Sequence, residues 1–149
     1  MIINEDLIIL DLPATTKEEA IRLLGQKAEE AGRLNDVEGY IKAVLAREAD
    51  YSTGVGFGVA IPHGKTDAVK EPLLMFAKVK PMNWESLDDE DVDLIFAIGV
   101  PEKDSGTLHL KILAQLSRKL MKEDFRAGLR SAKTPHDILT LLKDSELGI

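Results

Sequence analysis

The apolar and polar positions in the first part of the chain predict one strand and then a helix. Residues 3–11 are apolar enough for a strand. Thr16 followed by Glu19 forms a capping box, and apolar residues then recur at helical spacing as far as Gly32. The pattern therefore predicts a helix that begins after Thr16 and ends before Gly32.

A second helix is predicted over residues 37–48. Its apolar positions fall on one face, and Asn35 or Asp36 can cap its first turn. Arg47 and Glu48 come at the end of this segment. Both are therefore expected in the last turn of the helix.

The rest of the chain predicts a sheet covered by helices. The apolar run 92–100 is nearly continuous, which is typical of a strand buried on both faces. The predicted strands are 57–61, 73–79 and 92–100, and the predicted helices are 107–121, 125–129 and 134–142. We therefore predict a single α/β domain over residues 1–149, with a mixed parallel and antiparallel sheet of about five strands flanked by helices on both faces.

Composition and charge narrow the classes of function. The net charge of −7 opposes binding to nucleic acid, and the apolar runs are shorter than a membrane span. The chain has no cysteine, which removes disulfides and thiolate chemistry. Since the first residues do not resemble a secretion signal, we expect a cytoplasmic protein.

The segment best suited to chemistry is TGVGFGVAIPHG, residues 53–64. Alternate residues from Phe57 to Ile61 are expected to share one face of a short strand. Pro62 is expected to end that strand and leave His63 just past its carboxyl end, where open α/β sheets bind ligands. Gly64 is expected to leave room for a bulky group at the imidazole.

The spacing of these residues disfavours three other kinds of site. A Walker loop requires a glycine five residues before the Gly64–Thr66 triplet, and that position holds Val59. The third glycine of a dinucleotide fingerprint would fall on the same valine. A metal site of His63 and His109 is also disfavoured, because no HxxxH or HxH spacing supplies further ligands. We expect no cofactor and no metal.

Imidazole is the side chain of this sequence best suited to hold a phosphoryl group that must leave again. One ring nitrogen keeps its lone pair near neutral pH. Transfer also needs donors for the phosphoryl oxygens, and His109 near a helix start and Arg47 are the candidates. Taken alone, a histidine at position 109 is more often a core residue, and an arginine at position 47 is more often a solvated or salt-bridged cation. His136, after a proline at a helix start, is assigned a structural role.

Three segments together resemble the enzyme IIA family of the fructose, mannitol and nitrogen type of the phosphotransferase system. They are Arg47–Glu48, STGVGFGVAIPHGK and HLKILAQLSRKL, which occur in the family's order and at its usual separations. The stretch WESLDDEDVDLIFAIGVPE, residues 84–102, is similar to the family's middle strand with its approach. The resemblance therefore covers most of the chain.

The resemblance implies that His63 takes a phosphoryl group from the histidine phosphocarrier protein. The group would then pass to a IIB component, usually onto a cysteine, so the membrane is involved only through the IIB/IIC transporter. The absence of cysteine fits a chain that lacks IIB. Arg47 and His109 are implied to contact the phosphoryl group. Supporting roles are assigned to Glu48, Thr53 and Gly64.

Departures from the family pattern bear on the subtype. Phe57 stands where many members have asparagine, and residues 87–91 replace the usual acidic-glycine turn. The stretches 84–87 and 100–102 favour a fructose-type member, whereas Gly64–Thr66 also suits the nitrogen-regulatory type. The alternative function is therefore a regulatory phosphoprotein that binds kinases or transporters, without sugar transport.

Overall fold

The computed structural model describes residues 2–103 and 108–144, apart from the side chains of residues 108, 109 and 144. These residues form a mixed α/β domain of six strands and five helices. The strands are β1 Ile8–Ile9, β2 Gly54–Gly56, β3 Val59–Ala60, β4 His63–Lys65, β5 Leu73–Met82 and β6 Val92–Val100. The helices are α1 Lys17–Glu30, α2 Val37–Asp50, α3 Leu108–Leu120, α4 Glu123–Ser131 and α5 Pro135–Asp144. Of the described helices, none is long and apolar enough to cross a bilayer.

The sheet is mixed, as predicted, and is built around β5 and β6. These two strands pair antiparallel, β1 adds to β5 in parallel, and β2 forms a hairpin with β3. Both β3 and β4 pair in parallel with β6, and they keep one register: Val59 lies opposite Leu94, and His63 lies opposite Ile98. Strands β3 and β4 therefore lie one after the other along the same edge of β6, and together they form one line of the sheet. The six strands thus make a sheet that is five strands wide.

Strand β6 is covered on both faces, as its continuous apolar run predicted. Every residue from Leu94 to Val100 is buried. Helix α2 packs on one side, where the Tyr40 hydroxyl donates to the Ile98 carbonyl at 3.1 Å. Burial raises the pKa of Tyr40 well above its usual range. Tyr40 is therefore a neutral hydrogen-bond donor that ties α2 to the centre of the sheet.

The predicted starts of the first two helices are confirmed by their side-chain caps. Thr16 accepts from the backbone N–H of Glu19 at 3.2 Å, and the Glu19 carboxylate reaches back to the N–H of Thr15 at 2.7 Å. Asp36 caps α2. Gly32 follows the end of α1 with a φ of 76°, a left-handed conformation that suits glycine.

The predicted strand over residues 3–11 is largely wrong. Residues Glu5–Leu7 form a 3₁₀ turn, capped by the Asn4 side chain, which accepts from the N–H of Asp6 at 3.0 Å. Only Ile8–Ile9 pairs with β5. The local bond to Asn4 competes with strand pairing, and apolar content alone does not reveal it.

Phe57 does not share a strand face with Val59 and Ile61, contrary to expectation. It occupies the β2–β3 turn with a φ of 61°, between Gly56 and Gly58 at 98° and 78°, and its side chain is 53% exposed. Asparagine tolerates such a conformation better than phenylalanine. The turn is held by contacts from α4: the Arg130 guanidinium donates to the Phe57 carbonyl at 2.6 Å, and that of Arg126 lies 4.1 Å from the Phe57 ring centre. These contacts come from distant sequence, so local pattern could not predict them.

Candidate active site

His63 is half-buried and begins strand β4. Pro62 has no N–H to donate to β6, and so it interrupts the strand pairing between β3 and β4. Its carbonyl still accepts from the N–H of Ile98 at 3.0 Å, so the backbone continues along β6. The expectation that His63 lies just past a strand's end is therefore wrong. The imidazole is carried by backbone that is paired with the central strand on both sides of the proline.

The hydrogen bond at Nδ1 sets the tautomer of the His63 ring. Nδ1 lies 2.9 Å from the carbonyl oxygen of Ile61. A carbonyl can only accept, so Nδ1 carries the proton and the lone pair of the neutral ring is on Nε2. Ile61 is itself fixed, since its N–H donates to the Thr53 carbonyl at 3.0 Å. The position of the ring and its tautomer therefore depend on hydrogen bonds that run back to Thr53.

Helix α2 runs antiparallel to the segment that follows His63, and its last turn therefore lies toward the His63 end of that segment. A Cβ on Gly39 would lie 3.1 Å from the Cβ of Ala68. One turn later, a Cβ on Gly64 would lie 3.5 Å from the Cβ of Ala43. Arg47 is four residues beyond Ala43 on the same helix face. The order of these contacts therefore places the turn of Arg47 beyond Gly64, in the direction of His63 along the chain.

The Arg47 guanidinium is held by the residue that ends α2. Its Nη1 donates to the carbonyl of Tyr51 at 2.8 Å, and its Cζ lies 4.1 Å from the centre of the Tyr51 ring. The side chain is half-buried. It is thus an ordered cation and not the freely solvated one that a helix-end arginine could be.

Glu48 is a buried carboxylate, 7% exposed, that organises the segment before β2. It accepts from the N–H of Thr53 at 3.2 Å, from the Thr53 hydroxyl, and from Nε1 of Trp84 at 3.2 Å. Nζ of Lys17 lies 3.3 Å away. These contacts hold Thr53, whose carbonyl in turn holds Ile61. Glu48 and Thr53 therefore support His63 through the backbone.

Gly64 packs closely against helix α2. The residue is buried, and a Cβ there would lie 3.2 Å from Cγ2 of Val44. A side chain at this position would therefore press on Val44 and require it to shift. This packing role differs from the role predicted from sequence, in which Gly64 leaves room for a bulky group at the imidazole.

Comparison with known proteins decides the family. Residues 1–145 match the family model for the phosphoenolpyruvate-dependent sugar phosphotransferase system, EIIA 2. The chain belongs to this family. It is 42% identical over 140 residues to the fructose-specific EIIA component of the phosphotransferase system of Haloferax volcanii, an alignment that covers 93% of this chain and 90% of the relative.

Solved EIIA structures share the fold. The nitrogen regulatory protein IIA-Ntr of Neisseria meningitidis superposes with a TM-score of 0.83 at 28% identity, covering 95% of this chain and 96% of that one. Mannitol enzyme IIA of Escherichia coli, solved in complex with phosphorylated mannitol enzyme IIB, superposes with a TM-score of 0.81 at 25% identity over 95% and 97% of the chains. Longer relatives exist: this EIIA chain spans 22% of the 2-O-α-mannosyl-D-glycerate-specific EIIABC component of Escherichia coli.

The other two histidines are His109, whose side chain the structure does not describe, and His136, whose side chain it does. The backbone of His109 lies in the first turn of α3, while its side chain and residues 104–107, which include the expected helix start, lie outside the described part of the EIIA chain. His136 is exposed in the first turn of α5. That turn is capped by Asp137, whose carboxylate accepts from the N–H groups of Lys133 and Thr134. The bond from Lys133 is the main cause that lowers the pKa of Asp137.

Sequence reasoning missed three residues that support the site. Tyr51 holds Arg47, while Trp84 and Lys17 complete the contacts around Glu48. Lys17 lies 31 positions from Glu48, and Trp84 lies 36 positions away. No local spacing links residues so far apart. Only Tyr51, four residues after Arg47, was close enough in sequence for a stacked pair to be considered.

Proposed function

We propose that this EIIA chain is a phosphocarrier that accepts a phosphoryl group on Nε2 of His63. In this proposal the chain acts in the cytoplasm as one domain over residues 1–149, takes the group from the histidine phosphocarrier protein, and delivers it to the IIB component of a fructose-type sugar transporter. The observation that carries the proposal is the bond from Nδ1 to the Ile61 carbonyl, which leaves the lone pair on Nε2. The 42% identity to a fructose-specific EIIA component supports the sugar class.

The proposed transfer needs no added proton donor. The Nε2 lone pair of His63 attacks phosphorus while the bond between phosphorus and the carrier's phosphorylated imidazolium breaks. The carrier's ring keeps the bonding electron pair and the proton on its other nitrogen, and so leaves as a neutral imidazole. His63 keeps its Nδ1 proton, so its ring becomes a phosphorylated imidazolium. The Ile61 carbonyl, 2.9 Å from Nδ1, then stabilises the positive charge through the same bond. When a cysteine thiolate of IIB attacks phosphorus, His63 recovers its lone pair.

Charge on the transferred oxygens is the second requirement. Phosphoryl transfer places negative charge on three oxygens, and donors aimed at them lower the barrier. Arg47 is proposed to supply a guanidinium edge, and His109 to supply one further ring N–H. Glu48, Thr53 and Gly64 are proposed to act indirectly, by holding the backbone of His63 and the neighbouring helix.

The proposal is tested with labelled phosphoenolpyruvate, enzyme I and the histidine phosphocarrier protein. Wild type is expected to take up one acid-labile phosphate and to pass it to a fructose-type IIB domain. His63→Ala is expected to take up none, whereas His136→Ala, the matched control, should behave as wild type. Full labelling of His63→Ala would overturn the assignment of the acceptor.

A regulatory role is the second candidate, and similarity to IIA-Ntr at a TM-score of 0.83 favours it. A regulatory protein would take up phosphate on the same histidine, so uptake does not separate the two functions. Onward transfer does. A chain that labels fully but gives no phosphate to fructose-type IIB domains, and instead binds a kinase or transporter according to its phosphorylation state, would be the regulatory type.

A further inference from the structure

Tyr51 lies where α2 gives way to extended chain. Its backbone is extended, with φ of −169° and ψ of 156°, and its carbonyl accepts from Nη1 of Arg47 at 2.8 Å. Its ring is 64% exposed, yet it lies 4.1 Å from the Arg47 Cζ. One residue therefore contacts the guanidinium twice, through its carbonyl and through its ring.

The two contacts use only part of what a guanidinium offers. The ring lies against the guanidinium, 4.1 Å from its Cζ, and the carbonyl occupies one of the five N–H donors, all of which lie in the plane of the group. The remaining donors point outward within that plane, in the fork that matches phosphoryl oxygens. The two contacts with Tyr51 thus restrain the guanidinium and leave most of its donors available to bind an anion.

The backbone that carries Tyr51 is anchored on both sides. On one side it continues from Glu48, which is buried. On the other, the Ser52 hydroxyl donates to the Trp84 carbonyl at 3.0 Å and the N–H of Thr53 donates to Glu48. The aromatic ring is therefore presented from a fixed segment, although the ring itself is exposed.

We propose that Tyr51 is a positioning residue that orients the Arg47 guanidinium to receive the phosphoryl group. The inference rests on the proposed function, because it concerns the same transfer to His63. A flexible arginine loses conformational freedom when it binds phosphate. Tyr51 removes part of that freedom in advance, so its loss slows transfer while leaving the fold unchanged.

The test compares phosphoryl uptake rates of Tyr51→Leu and Tyr51→Phe. Tyr51→Leu keeps the backbone carbonyl but removes the aromatic face, and an exposed cation–aromatic contact corresponds to a slowing of about threefold. Tyr51→Phe keeps the face and is expected to retain the wild-type rate. Phe57→Leu is the matched control. Its ring is 53% exposed and lies 4.1 Å from Arg126, but its turn adjoins Asp93, about 16 Å along β6 from the partner of His63.

A second background shows whether Tyr51 acts through Arg47. In Arg47→Ala, the change Tyr51→Leu is expected to cause no further slowing, and in the single variant the side-chain N–H signal of Arg47 should lose the ring-current shift that Tyr51 imposes. Wild-type uptake by Tyr51→Leu, or equal slowing in both backgrounds, would overturn the inference and leave the proposed function standing. No label on His63 in the wild type would overturn both. Melting temperatures, expected to be unchanged for the exposed positions 51 and 57, confirm that these variants are folded, and the same measurement checks the fold of Arg47→Ala.

Discussion

Replacing Glu48 by alanine is expected to destabilise the protein more than its single charge suggests. The change leaves the buried N–H of Thr53 without its acceptor and removes the acceptor of the Thr53 hydroxyl. Trp84 suffers less, because its Nε1 also lies 3.3 Å from Oγ1 of Thr53, and Lys17 keeps Glu85 at 3.4 Å. One stranded buried donor and one lost hydrogen bond together correspond to about 3 kcal/mol in the free energy of unfolding.

For a chain of 149 residues, that loss lowers the melting temperature by about 10 °C. Urea unfolding of Glu48→Ala measures the free energy directly. Glu38→Ala is the control on the same helix, because its carboxylate is 73% exposed and lies 3.7 Å from Arg22, a pair worth less than about 1 kcal/mol. Glu48→Gln keeps one acceptor oxygen and should fall between the two. A loss below about 1 kcal/mol in Glu48→Ala would refute the role assigned to the buried carboxylate.

Three further predictions concern packing, pH and transfer. Gly54→Ala drives a methyl group into Ser86 and should lower the melting temperature, whereas adding Ser86→Gly should restore most of it; no recovery in the double variant would contradict the packing argument. Asp137→Asn should be less stable than wild type at pH 7. The Lys133 bond lowers the pKa of Asp137, so the stabilisation by its carboxylate is lost as the pH falls through the folded-state pKa. In pH-dependent unfolding, the difference in stability between Asp137→Asn and wild type should therefore vanish below the ordinary aspartate pKa of 3.8. A difference that does not depend on pH would contradict this. Arg47→Lys keeps the charge but loses the fork, so stopped-flow transfer should slow by about tenfold at an unchanged melting temperature, and a wild-type rate would make Arg47 structural.

The elements that could be predicted from sequence are those fixed by local rules. The Thr16 cap, the left-handed Gly32 and the continuous apolar run of β6 each depend on neighbours within a few residues. Periodicity also located α2 correctly, which placed Arg47 and Glu48 in its last turns. The helix that carries Arg47 and Glu48 was therefore predicted from sequence, whereas the roles of these residues at the site stay predictions.

The geometry of the site could not be foreseen, because it depends on distant partners. The line of β3 and β4 continues past Pro62 only because β6 accepts it on both sides of the proline. Phe57 adopts its left-handed conformation in a turn that Arg126 and Arg130 hold. Such contacts join segments far apart in the chain, and a single sequence carries no periodic trace of them.

The central claim is that Nε2 of His63 carries the phosphoryl group while Nδ1 stays protonated. Nitrogen-15 NMR of the imidazole, recorded before and after treatment with phosphoenolpyruvate, enzyme I and the histidine phosphocarrier protein, tests it most directly. The account predicts a proton on Nδ1 in both states, bonded to the Ile61 carbonyl, and a phosphorus coupling that appears at Nε2. Phosphorus bound to Nδ1, or no change at His63 while phosphate is taken up elsewhere, would contradict it.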